Sequence, residues 1–109
     1  MIRIKVKELN NDIKEISFTG HAAYDNLGKD IVCASVSSIF YCSINACYLF
    51  KEDSLEVFSN ENKQKIVVQS EDENVQKILI NMLNCLKSLE KSYPKNIRID
   101  KEEKEWSNF

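Results

Sequence analysis

Glycine and proline are almost missing from this chain, with two and one among 109 residues. So few flexible or kinking positions exclude long linkers and the glycine-rich loops that cradle phosphates. No low-complexity tract or solenoid-length repeat occurs. An excess of positive charge is lacking too. Fifteen Lys and Arg against 17 Asp and Glu leave a formal charge of -2, which supplies no overall basic field, so direct nucleic-acid contact is not expected. Net charge does not address a local patch. A single histidine and the absence of any Cys-x-x-Cys leave the usual zinc ligand sets unfilled, and neither metal nor cofactor is expected. Cys33 and Cys42 lie about 180° apart on a helical wheel, and Cys42 and Cys47 about 140°. Cys42, Cys47 and Cys85 read as small core residues.

The opening MIRIKVKEL alternates charged and apolar residues and has no apolar signal-peptide region, which makes the cytoplasm the expected location. In a reducing compartment the four cysteines are expected as free thiols. One long uncharged run does exist. The twenty residues from Ile31 to Phe50 meet the crude length test for a membrane span, but Ser35, Ser37, Ser38, Ser43 and Asn45 would lack partners in a bilayer. A core helix explains the run better, and no membrane association is expected.

Forty-three per cent apolar residues in 12.6 kDa suffice for one domain over 1–109. Ile2, Ile4 and Val6 alternate with Arg3, Lys5 and Lys7, the period of a half-buried strand. Asn10, Asn11 and Asp12 form a turn, and Ile13, Ile16 and Phe18 a returning strand to about Thr19. Residues 20–30 are a loop. A helix follows over 31–50, with Val32, Val36, Ile39, Phe40, Cys47 and Phe50 on its core face. Its other side, Ser35, Ser38, Tyr41, Cys42 and Asn45, bears no charge. A face turned to water normally would, so a second surface, such as another subunit, is expected to cover it. Strands at 55–59 and 66–70 flank a turn at Asn60–Asn62. An amphipathic helix over 74–92 is closed by Pro94, and a short strand at 97–99 precedes a charged tail. The order ββαββαβ implies an α+β fold, a mainly antiparallel sheet with two helices packed on it.

Both glycines and the sole histidine fall within one eleven-residue loop, and Cys33 lies in the first turn of the helix that follows. Gly20 and Gly28 permit positive φ or close backbone approach and serve as the loop's hinges. Helix-start amides and the positive dipole end favour a thiolate at Cys33. An imidazole from His21 within reach would supply a general base beside that nucleophile. The backbone amides of Cys33 and Ala34 are the expected oxyanion donors. Asp30 reads as the helix N-cap; in another geometry it would orient the His21 imidazole as a third triad member.

Gly20-His21-Ala22, Gly28-Lys29-Asp30-Ile31-Val32-Cys33-Ala34 and Ser37 resemble the signature G-H-A…G-x-D-I-V-C-A-x-x-S of the ribosomal-processing cysteine proteases, the Prp family. The resemblance spans the chain in length and element order, with its specific part in residues 20–37. It implies a homodimeric endopeptidase that removes a short N-terminal extension from large-subunit ribosomal protein twenty-seven, cutting after an aromatic residue. Cys33 then matches the nucleophile and His21 the general base, with Asp30 and Ser37 in supporting positions. Residues 22–29 match a mobile segment that gates substrate access. Two other classes fit the same residues: a non-catalytic ribosome-associated binding module, and a redox sensor at Cys33.

Overall fold

The structure is a computed structural model that describes residues 1–26 and 28–104. Strands β1 (Ile2–Leu9) and β2 (Asp12–Thr19) form a hairpin. Its two turn residues, Asn10 and Asn11, both have positive φ, 51° and 69°. That backbone matches the twist of paired strands, and asparagine tolerates it. Helix α1 (Ile31–Phe50), strands β3 (Leu55–Ser59) and β4 (Lys63–Val68), helix α2 (Glu73–Ser92) and strand β5 (Ile97–Lys104) follow among the described residues. The order ββαββαβ is the one expected.

The five strands form one sheet in the order β3-β4-β2-β1-β5. Every pairing is antiparallel except β1 with β5. Ile4, Val6, Ile13, Ile16 and Ile66 point from the sheet into a core completed by Val75, Leu79, Met82 and Leu86 of α2. Gln76 of α2 ties the hairpin down: it accepts from the Ile13 amide and donates to the Ile13 carbonyl, both at 2.8 Å. Those bonds sit beside the bulge at Lys7 and Glu8, where the ladder is irregular.

Four expectations need correction. Strand β4 begins at Lys63 and ends at Val68, not over 66–70, because Lys63, Gln64 and Lys65 pair with β2. Strand β5 runs to Lys104 through residues assigned to a charged tail, since it follows β1 along its whole length; residues 105–109 lie outside the described residues. The buried side of α1 is Val32, Val36, Phe40, Ser43, Ile44 and Cys47, whereas Ile39 is half-buried and Phe50 is exposed. Of the three cysteines assigned to the core only Cys47 is there; Cys42 and Cys85 are exposed. All four are free thiols.

Candidate active site

The site forms where β2 hands the chain to α1. Gly20 leaves the strand with φ +83°, and a Cβ there would collide with the Met1 carbonyl oxygen. Only glycine fits both demands. Ala22 is fully buried, and the Asn96 amide, reached from beyond α2, donates to its carbonyl at 2.8 Å. Ala23 takes a positive φ of 54°, an uncommon state for alanine. The Tyr24 ring meets Tyr93 edge-on at 5.3 Å. The first half of the loop is thus fastened to the segment that closes α2.

Asp30 fastens the same loop to the helix. Its Oδ1 accepts from the Val32 and Cys33 amides at 2.9 Å each, the N-cap arrangement. Its Oδ2 accepts from the Tyr24 and Asp25 amides at 3.0 and 3.3 Å. Desolvation pushes the Asp30 carboxyl up, but the amides of Cys33, Tyr24, Asp25 and Val32 outweigh it and hold the pKa below its ordinary value. The carboxylate is a cap and a clasp. Among the described residues no hydrogen bond joins it to His21.

Cys33 is half-buried and packs against the core. Its sulfur accepts a hydrogen bond from the Ala22 amide at 3.4 Å. The amides of the two expected oxyanion donors have other partners. The Cys33 amide is engaged by Asp30 Oδ1, and the Ala34 amide donates to the Asp30 carbonyl at 3.1 Å. Neither is free without undoing the helix start, and the amide that faces the sulfur is that of Ala22. Sequence reasoning missed this, along with Asn96, which no local pattern singles out.

His21 is exposed and shares two cavities with Cys33 and Ser37. One, of about 190 Å³, has Ile2, Phe18, Val36 and Phe40 as an apolar floor and the β3–β4 turn with the start of β4, Asn60 to Gln64, as its rim. Phe18 and Phe40 meet edge-on at 5.1 Å within that floor. The other, of about 460 Å³, lies over Ala23, Asp25, Gly28, Asp30 and Ala34. Ser37 is one turn beyond Cys33 on the same helix face and is exposed. Residues expected to act together therefore line one cleft, with Cys33 bordering both cavities. Among the described residues no group of three or more His, Cys, Asp or Glu side chains is placed to hold a metal ion. Such a cleft can host a thiol nucleophile, a proton carrier and an apolar side chain of a substrate.

A sequence profile of the cysteine protease Prp matches residues 1–98. The chain belongs to the Prp family and is a cysteine protease. It is 31% identical over 91 residues to the ribosomal processing cysteine protease Prp of Staphylococcus aureus (strain Mu50), covering 81% of this chain and 86% of that one. Its identity to the Prp of Mycoplasma genitalium is 33% over 85 residues, covering 76% and 83%. The fold agrees. The crystal structure of the S. aureus protease in complex with a covalently linked product peptide superposes with a TM-score of 0.87 at 27% identity, covering 94% of this chain and all of that one. The same protease in complex with a substrate peptide gives a TM-score of 0.80 at 26% identity, with the same coverage.

Proposed function

We propose that this family member is a processing endopeptidase that removes the short N-terminal extension of large-subunit ribosomal protein twenty-seven, in the cytoplasm. The observation that carries the reading is the shared cleft of His21 and Cys33, with the Ala22 amide on the sulfur. Relatives named as ribosomal processing proteases support the substrate class, and the S. aureus complexes with a product and a substrate peptide support a peptide substrate.

The steps follow from the residues. His21 takes the Cys33 proton, and the thiolate attacks the scissile carbonyl carbon to form the C–S bond. The Ala22 amide, freed from the sulfur as it bonds carbon, donates to the oxyanion. Collapse breaks the C–N bond, and His21 passes its proton to the departing amine. A water then gives a proton to His21 and its oxygen to the thioester, which releases the carboxylate and restores the thiol. Asp30 holds loop and helix in register, and Ser37 borders both cavities. The apolar floor of the cavity of about 190 Å³, formed by Ile2, Phe18, Val36 and Phe40, suits the aromatic residue before the cut, since a cavity of roughly 150 Å³ is large enough for benzene.

The reading extends to a homodimer. Ala34, Ser38, Tyr41, Asn45 and Tyr48 are exposed along α1 at alternating four- and three-residue steps, the spacing of a helix seam, and α1 carries no charge. A second copy of this chain covers that stripe.

Incubation with a peptide bearing the ribosomal protein's N-terminal extension, followed by mass spectrometry, tests the activity. One cut after an aromatic residue by the native chain, with none by Cys33→Ala, is expected. Binding without cleavage would overturn the assignment of this extension as the substrate.

A further inference from the structure

Both helices pack on one face of the sheet, and among the described residues no helix or strand covers the other. Its side chains can be read in rows across the strands from the pairing register. The row nearest the active-site loop runs Arg98, Arg3, Thr19 and Lys63 on β5, β1, β2 and β4. It has three cations and no carboxylate. The next row holds Lys5, Ser17 and Lys65, with Asp100 at one edge and Phe58 at the other. The third holds Lys7 among Glu102, Glu15 and Glu56. Charge is therefore sorted along the strands, from cationic beside the cleft to acidic at the far end. A formal charge of -2 conceals this.

The ion pairs sharpen the contrast. Glu15 holds both Lys7 and Lys65, at 3.1 and 3.3 Å, and Asp100 holds Arg98 at 3.3 Å. Arg3, Lys5 and Lys63 are exposed, and among the described residues no carboxylate pairs with them. Beside them the Phe58 ring is about half exposed, with Lys65 Nζ 5.6 Å from its centroid. Phe58, Asn60, Lys63 and Lys65 also line a depression of about 430 Å³. Asn60 and Lys63 belong at the same time to the rim of the catalytic cavity. The basic face and the cleft are continuous around the β3–β4 turn.

We propose that this sheet face binds single-stranded RNA. Unpaired cations on β1 and β4, on either side of β2, meet phosphates, an exposed ring with a cation beside it takes a base, and the Ser17 and Thr19 hydroxyls meet sugar or phosphate oxygens. The inference deepens the proposed function, on which it rests for its choice of polyanion. Ribosomal proteins are mostly polycations, and a basic surface beside the cleft repels a free one. It suits a substrate presented on RNA.

The test is fluorescence anisotropy of a labelled uridine oligomer of about twelve nucleotides with the full chain, alongside peptide cleavage on the same sample. Three phosphates neutralised by Arg3, Lys5 and Lys63 give a log–log salt slope of about -2, so affinity falls about twentyfold between 50 and 200 mM salt. Arg3→Gln with Lys5→Gln should flatten that slope by about 1.4 and leave peptide cleavage unchanged. Phe58→Ala should weaken binding about tenfold. Failure to bind RNA at 50 mM salt in a sample that still cuts peptide overturns the proposal and leaves the peptidase reading intact. An affinity unmoved by the double variant overturns it as well. So does displacement of the RNA by polyglutamate or by phosphatidylglycerol vesicles at equal charge concentration.

Discussion

The backbone amide of Ala22 donates to the sulfur of Cys33 at 3.4 Å. That bond depends on where the loop is held, and the residue holding it is Asn96, whose side-chain amide donates to the Ala22 carbonyl at 2.8 Å. Asn96 is thus a positioning residue, acting through Ala22. Asn96→Ala removes the tether while leaving α2 and the sheet in place. Turnover should fall about tenfold, the cost of roughly one lost hydrogen bond near the reacting atoms, with KM changed less than kcat. Alkylation of Cys33 at neutral pH should slow in parallel. A variant that folds normally and alkylates at the native rate would show that Asn96 serves stability alone.

Asp30 makes the site sensitive to acid. Its carboxyl ionises below the ordinary value of 3.8 in the folded chain, so on acidification the unfolded chain takes up the proton first. The associated stability is complete above about pH 5 and is lost as pH falls through the depressed value. Asp30→Asn does not titrate there. The gap in denaturation midpoint between native and variant chains should be widest near neutrality and shrink as pH falls through the depressed value. Glu15 also has a lowered pKa: desolvation raises it, and hydrogen bonds and charge from Lys7 and Lys65 bring it down. Present in both chains, it cancels from the comparison. A gap constant down to pH 2 would contradict the clasp.

How much of this was legible beforehand depended on whether the governing contact was local. The alternation of Ile2, Ile4 and Val6 with Arg3, Lys5 and Lys7 reports two faces in different solvents, and the hairpin followed from it. Asp30 was readable as a cap because a helix start needs an acceptor within three residues. The same cap engages the Cys33 amide, a contact that the expectation of oxyanion donors at Cys33 and Ala34 does not include. The Asn96–Ala22 tether spans 74 positions and leaves no periodicity to detect. Strand β4 was misplaced because Lys63 and Lys65 face outward and dilute the apolar signal, although the chain there is fully paired.

The four thiols should separate by environment. Burial pushes Cys47 up to about 11 from an ordinary 9.0, which leaves it with about one-hundredth of the ordinary thiolate fraction at neutral pH. Iodoacetamide at pH 7 should label Cys33, Cys42 and Cys85 while Cys47 stays unmodified, as peptide mapping would report. The same shift fixes a sign at the alkaline end. The unfolded chain ionises Cys47 first, so stability should decline as pH rises from about 9 to 11, and Cys47→Ala should flatten that limb. Labelling of native Cys47 at the rate of Cys42 would refute the assignment.

The uncharged stripe of α1 gives a test of assembly apart from chemistry. The Tyr41 side chain is about half exposed and central to the stripe. Tyr41→Glu places a charge on each side of any self-association about this helix, where like charges would face one another in a medium of reduced dielectric. Sedimentation velocity should give a dimer for the native chain and a monomer for the variant at micromolar concentration. Equal sedimentation of the two would remove α1 from the interface.

The two glycines of the loop should respond unequally to alanine. Both have positive φ, 83° at Gly20 and 86° at Gly28, so each substitution carries about 1–2 kcal/mol of backbone strain. At Gly28 nothing lies within 4 Å of the added Cβ, and strain is the whole effect. At Gly20 the Cβ also meets the Met1 carbonyl oxygen, and that atom belongs to the chain leading into β1, whose Ile2 amide donates to the Asn96 carbonyl at 2.8 Å. Relief of the clash must therefore move β1, β2 or the segment that carries Asn96. Each of these holds the Ala22 peptide against Cys33. Gly20→Ala should cost at least about 2 kcal/mol more than Gly28→Ala in urea denaturation and abolish most peptide cleavage, while Gly28→Ala retains most of it. Equal losses at the two positions would mean that backbone conformation alone, and not the contact beneath Gly20, governs the loop.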